Sequence, residues 1–212
     1  MKRFALIAVI IAFAFSMSAY AIDENEVVYT ERKGKGVEKW LWNELSQYSP
    51  SDEITAGILS YFWRESQYRS DSVAGWASTL HGYGIDLCSK VTKKVDKGLD
   101  DGDSLDYFIW ACQTYGGYGL GQWCAMHEIT SLYDYAVGYG TSIGDARMQC
   151  AFVFYDLENN YPELWKKLKK CKDPEKAGRL IAIYYDGTVD GVQYMGYKAG
   201  RFYNKYHKEV EG

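Results

Sequence analysis

The run Ser49-Pro50-Ser51-Asp52 constrains this chain more than any other stretch, because it fixes where one long helix must begin. Ser49 can cap, proline's fixed φ suits the first helical position, and Asp52 completes a capping box of the Ser-x-x-Asp kind. The helix is expected to run from Pro50 to about Glu65, with Ile54, Ile58, Leu59, Phe62 and Trp63 forming a wide apolar face. Helical spacing recurs on both sides of it. Val37, Trp40, Leu41, Leu45 and Tyr48 predict a preceding helix, and Asp103-Ser-Leu-Asp opens another that carries Leu105, Phe108, Ile109 and Cys112. Further helices are expected over Asp145 to Asn159, Asn160 to about Cys171, and Asp173-Pro174 to Tyr185, with a last one marked by Met195, Ala199, Phe202 and Tyr206. From Tyr68 to Gly84 the period is lost, so irregular or short extended structure is expected there. The acid-rich stretch from Asp96 to Asp106 reads as a solvated loop, since Lys97 stands where a calcium loop needs its first acidic ligand. The fold class is therefore α+β and mainly helical.

The first residues have the form of a secretory leader. Lys2 and Arg3 precede an apolar run from Phe4 to Phe15, and Ala19-Tyr20-Ala21 offers a small-x-small cleavage site. Cleavage is expected after Ala21, followed by a loose lead-in over residues 22–35 and one domain over 36–212. The apolar run is too short for a stable membrane anchor. Such a leader implies a secreted protein, extracellular or periplasmic. The formal charge is -4 and becomes more negative when Lys2 and Arg3 leave, which speaks against nucleic acid as a partner. Five cysteines, Cys88, Cys112, Cys124, Cys150 and Cys171, in an exported chain predict two disulfides and one free thiol, with the connectivity open. Cys124 with His127 lacks the companions of a metal site or a Cys/His peptidase.

The chemistry centres on Glu65. It ends a well-started helix, where unpaired carbonyls make the potential negative, and Tyr61 and Phe62 lie one turn back. Both influences keep a carboxyl protonated near neutral pH, as a general acid requires, although the same position suits a plain surface glutamate. In Gly116-Gly-Tyr-Gly-Leu-Gly-Gln-Trp123, alternating glycines allow close backbone approach to a bound strand, beside the stacking faces of Tyr118 and Trp123 and the amide of Gln122. A tight turn would use the same glycines. Tyr and Trp, 20 and 7 of them within an aromatic content of 17%, suit stacking on sugars.

Gly57-Ile-Leu-Ser-Tyr-Phe-Trp-Arg-Glu-Ser66, with Tyr118-Gly-Leu-Gly-Gln-Trp123 and Asp145-Ala-Arg-Met-Gln149, resembles the phage tail lysozyme domain, itself similar to goose-type lysozymes and lytic transglycosylases. The resemblance implies a lysozyme-like fold and cleavage of the β-1,4 bond between N-acetylmuramic acid and N-acetylglucosamine in peptidoglycan. It makes Glu65 the catalytic acid, Ser66 a supporting group, and Gln122 with Gly119 and Gly121 the floor of the glycan cleft, beside the stacking faces of Tyr118 and Trp123. Ala182-Ile-Tyr-Tyr-Asp-Gly187 is similar to a lytic transglycosylase stretch and would bring Tyr184 near the acid. Asp71, Asp86 and Asp186 are candidates for a second carboxylate. No metal or organic cofactor is implied, and the protein is expected to meet glycan strands as a monomer. The rival readings are a lytic transglycosylase, giving 1,6-anhydro products, and a non-catalytic glycan-binding module.

Overall fold

The computed structural model describes residues 27–30, 36–73, 84–99 and 102–207. The leader from Lys2 to Ala21 lies outside them. Nine helices are described: α1 (Val37–Ser46), α2 (Asp52–Ser66), α3 (Gly84–Asp96), α4 (Leu105–Tyr115), α5 (Met126–Tyr139), α6 (Ala146–Asn159), α7 (Pro162–Leu168), α8 (Pro174–Tyr184) and α9 (Val192–Tyr206). β structure among the described residues is limited to two isolated bridges, Val73 with Tyr118 and Tyr118 with Trp123, beside the glycine segment.

The apolar face expected of α2 is buried, with Ile54, Ile58, Leu59 and Phe62 each 0% exposed. α2 packs against α8 and α9, and two glycines make the close approaches possible, Gly57 that of α2 to α8 and Gly178 that of α8 to α9. A Cβ on Gly57 would stand 2.8 Å from Ile181 Cδ1 and 3.2 Å from the Ala177 carbonyl carbon, and one on Gly178 would stand 2.7 Å from the Met195 carbonyl oxygen. The C-terminus of α2 is thereby held beside the loop that follows α8. Asp145 caps α6 by accepting from the N–H groups of Arg147 and Met148, and Asp173 caps α8 in the same way through Glu175 and Lys176.

Several expectations are corrected. α2 begins at Asp52, after Ser51, because the Ser49 hydroxyl donates to the Ser51 carbonyl at 2.7 Å and so takes no part in capping. α3 and α5 were not expected. Their stripes, Cys88, Val91 and Val95 in α3 and Ile129, Leu132, Tyr133 and Ala136 in α5, are fully or nearly buried. Asp96 is no solvated loop residue, since it accepts from the Ser142 hydroxyl at 2.6 Å and the Ile143 N–H at 3.0 Å. Part of the lead-in is tied down as well: Val28 donates its N–H to Asp145 and accepts from Ala146, and Thr30 donates to Ser70.

The two expected disulfides are absent, and all five cysteines are free thiols. Cys88, Cys112, Cys150 and Cys171 are spent as small buried core residues on separate segments, and a bridge requires Cβ atoms about 3.5–4.5 Å apart, which counting cannot reveal. Alkylation in denaturant without reductant is expected to modify all five, with exposed Cys124 reacting first in the native protein. Mass spectrometry checks this, and two persistent bridges would contradict it.

Candidate active site

Glu65 occupies the last turn of α2, where the helix leaves carbonyls without intrahelical partners. Its side chain is 22% exposed, and Asp186, in the loop after α8, is 11% exposed. The two carboxyls act on each other's protonation, and Asp186 Oδ2 is buried with no hydrogen-bond partner. Burial, followed by the negative charge of Asp186, pushes the Glu65 carboxyl up to about 7. Burial raises Asp186 as well, against the pull of Arg64. Both carboxyls are thus held above their ordinary values, chiefly by burial.

Arg64 brackets the pair. Its Nε lies 3.1 Å from Glu65 Oε1 and 3.6 Å from Asp186 Oδ2, and its Nη2 donates to Thr188 Oγ1 at 2.8 Å. The guanidinium passes over Gly191 so closely that a Cβ there would overlap Nη1. Glu128, at the start of α5, adds a further negative charge that acts on Asp186 and on Tyr61. It accepts from the Tyr161 hydroxyl at 3.1 Å and from the Ala125 N–H at 3.1 Å. Beyond α2, Gln67 and Tyr68 both have positive φ, 52° and 75°, an uncommon pair of left-handed residues other than glycine beginning two positions after Glu65.

The glycine segment forms the wall next to this cluster. Tyr61, one turn before Glu65, donates its hydroxyl to the Gly121 carbonyl, and the Ser66 hydroxyl donates to the Leu120 carbonyl at 2.9 Å. Helix end and segment are thus pinned together. The model of the phage tail lysozyme family matches residues 36–206. The chain belongs to the phage tail lysozyme family. No curated protein and no solved structure matches it. Family membership carries the coarse conclusion: a lysozyme-like, peptidoglycan-degrading enzyme.

In this phage tail lysozyme, the expected site residues divide sharply. Glu65, Ser66 and Asp186 come together. Tyr118 and Trp123 do not line a cleft. They are 0% and 1% exposed, with the Tyr118 hydroxyl bonded to Thr92 and Trp123 Nε1 donating to the Tyr185 hydroxyl at 2.9 Å. Their rings are core, wedged edge-on against Phe108 and Phe152. Gln122, at φ 49°, donates its amide to the carbonyls of Ser72 and Gly119 and so closes the turn from within. Gly119 and Gly121 answer to neighbours rather than to a ligand, since a Cβ would stand 2.7 Å from Gln149 Oε1 or 2.6 Å from the Trp123 ring. Tyr184 is half exposed under the Lys167 ammonium. Its neighbour Tyr185 is the residue wired inward, donating to Asp156 Oδ2 at 2.7 Å. Asp71 is engaged by Arg69 at 2.6 Å, and the Asp86 side chain lies outside what is described. Sequence reasoning missed Arg64, Thr188, Glu128, Tyr185 and Asp156.

Proposed function

We propose that the protein is exported and hydrolyses the β-1,4 bond between N-acetylmuramic acid and N-acetylglucosamine in peptidoglycan, with Glu65 as general acid. The observation that carries this is the Glu65 carboxyl, held in a half-covered site at a helix end and pushed up to about 7 by burial and Asp186. Such a group still holds its proton at neutral pH and can pass it to a glycosidic oxygen as the bond breaks. Asp186 raises Glu65 by its charge, and Arg64 keeps the pair from taking up a second proton. A binding module has no use for this arrangement, since a desolvated carboxyl pair costs stability without helping a sugar to bind. Export is supported by Lys2, Arg3 and the apolar run that follows.

One observation favours a second reading. An inverting hydrolase separates its carboxyls by about 6.5–9.5 Å to admit water, and a retaining one by about 5–5.5 Å. Glu65 and Asp186 are instead gathered on one Arg64 nitrogen, at 3.1 and 3.6 Å, and neither is set apart to hold a water or to attack the sugar. A lone acid that later acts as base suits a lytic transglycosylase, in which the sugar's own 6-hydroxyl closes the ring. Mass spectrometry of digested peptidoglycan decides between the two. Hydrolysis is expected to leave muropeptides with a reducing end, and products lighter by one water would establish transglycosylation instead. Intact strands would defeat both.

A further inference from the structure

Away from the carboxyl pair, α5 and α6 enclose an open groove of about 380 Å³, lined by Ser131, Asp134, Tyr135, Gly138, Tyr139 and Tyr155. Tyr139 and Tyr155 are 47% and 44% exposed, and Tyr135 stands between them with ring centroids 6.1 and 4.9 Å away. Three aromatic faces beside a carboxylate and a hydroxyl are the chemistry of a saccharide site: ring faces meet the sugar's C–H surface and acceptors take its hydroxyls. Gly138 is the unexpected member. It stands in the last turn of α5, where glycine is a poorer helix former than alanine, and a Cβ there would meet nothing within 4 Å. Packing does not require this glycine. Its missing side chain leaves helix backbone uncovered on the groove floor.

The groove is also aligned with the acid. Glu128, whose charge reaches Asp186, shares one stripe of α5 with Ser131, Tyr135, Gly138 and Tyr139, at spacings of three, seven, ten and eleven residues. At the helical rise that stripe runs about 16 Å, the length of a few sugar units. We propose that the α5–α6 groove is a distal subsite that binds an N-acetylhexosamine unit of the same glycan strand that meets Glu65. This rests on the proposed glycan-cleaving function. A second hold on the strand raises the effective concentration of the scissile bond at the acid.

The test uses the Glu65→Gln protein, which should bind without cutting, and β-1,4-linked N-acetylglucosamine oligomers as probes in calorimetry. Gly138→Leu fills the groove floor and Tyr155→Ala removes one ring face. Each is expected to weaken the hexamer at least tenfold while the dimer, too short to span both sites, binds as before. Gly138→Leu should melt no lower than its parent, because leucine is the better helix former, so lost binding cannot be misfolding. Equal hexamer affinity in variants and parent would overturn the subsite, as would a parent that does not bind the hexamer. Wall cleavage by Glu65→Gln is read separately. Were cleavage to survive, the acid assignment would fall while the hexamer still reported on the groove.

Discussion

Replacing Glu65 with Gln is expected to slow wall degradation by about 10²–10⁴ while the fold remains intact, because the amide keeps the shape and loses the proton. The same variant carries a pH signature that a passive surface glutamate would not. Folding raises this carboxyl from an ordinary value near 4.5 to about 7. Between those values the folded state binds more protons than the unfolded one, so stability falls as pH rises through the window and the loss is complete above it. Gln has no proton to lose. The variant should therefore melt a few degrees higher than the parent at pH 8 and alike at pH 4, while the parent's activity declines as pH climbs through about 7. Turbidity clearing across pH, paired with thermal melts, reads both. Clearing by the variant at the parent's rate would remove Glu65 from the mechanism.

Trp123→Ala is expected to cost about 3–5 kcal/mol of stability, the usual penalty for emptying a buried aromatic site. Trp123 is 1% exposed, meets Phe62 and Phe152 edge-on, and supplies the N–H that bonds the Tyr185 hydroxyl. In a chain of this size that amounts to a fall in Tm of roughly 6–20 °C. Trp123→Phe should recover much of it, since a ring refills most of the space while the hydrogen bond stays lost. A sugar-stacking tryptophan would behave oppositely, with an unchanged Tm and weaker substrate binding, and that outcome would return Trp123 to the cleft.

The contrast between Glu65 and Trp123 marks what could be read from the residues alone. A proline-marked start plus 3.6-residue spacing ends α2 near Glu65 by counting, so the place of Glu65 on a negative helix end was legible. Alternating glycines beside aromatics were ambiguous, because close approach by a ligand and close approach by Gln149 or Trp123 make the same demand on the backbone. Tyr185 was within reach: Ala177, Ile181 and Tyr185 follow the buried stripe of α8, and Tyr184 falls off it. α5 was similarly readable from Ile129, Leu132, Tyr133 and Ala136. The pairing of Glu65 with Asp186 was not. It joins residues 121 positions apart through helix packing, which no local pattern encodes.

Gly57 takes no part in the chemistry, yet it sets the spacing between the helix that ends in Glu65 and the one that leads to Asp186. A displacement of about 1 Å can cost a catalyst 10²-fold. A methyl group at Gly57 would act as a shim, driving α2 and α8 apart at mid-length and changing the alignment of the two carboxyls at their ends. Under the proposed mechanism, natural variation can therefore silence this protein without altering Glu65 or anything that touches it. An intact Glu65 in a relative is no guarantee of a working enzyme unless the bare position in the helix seam has been kept bare with it.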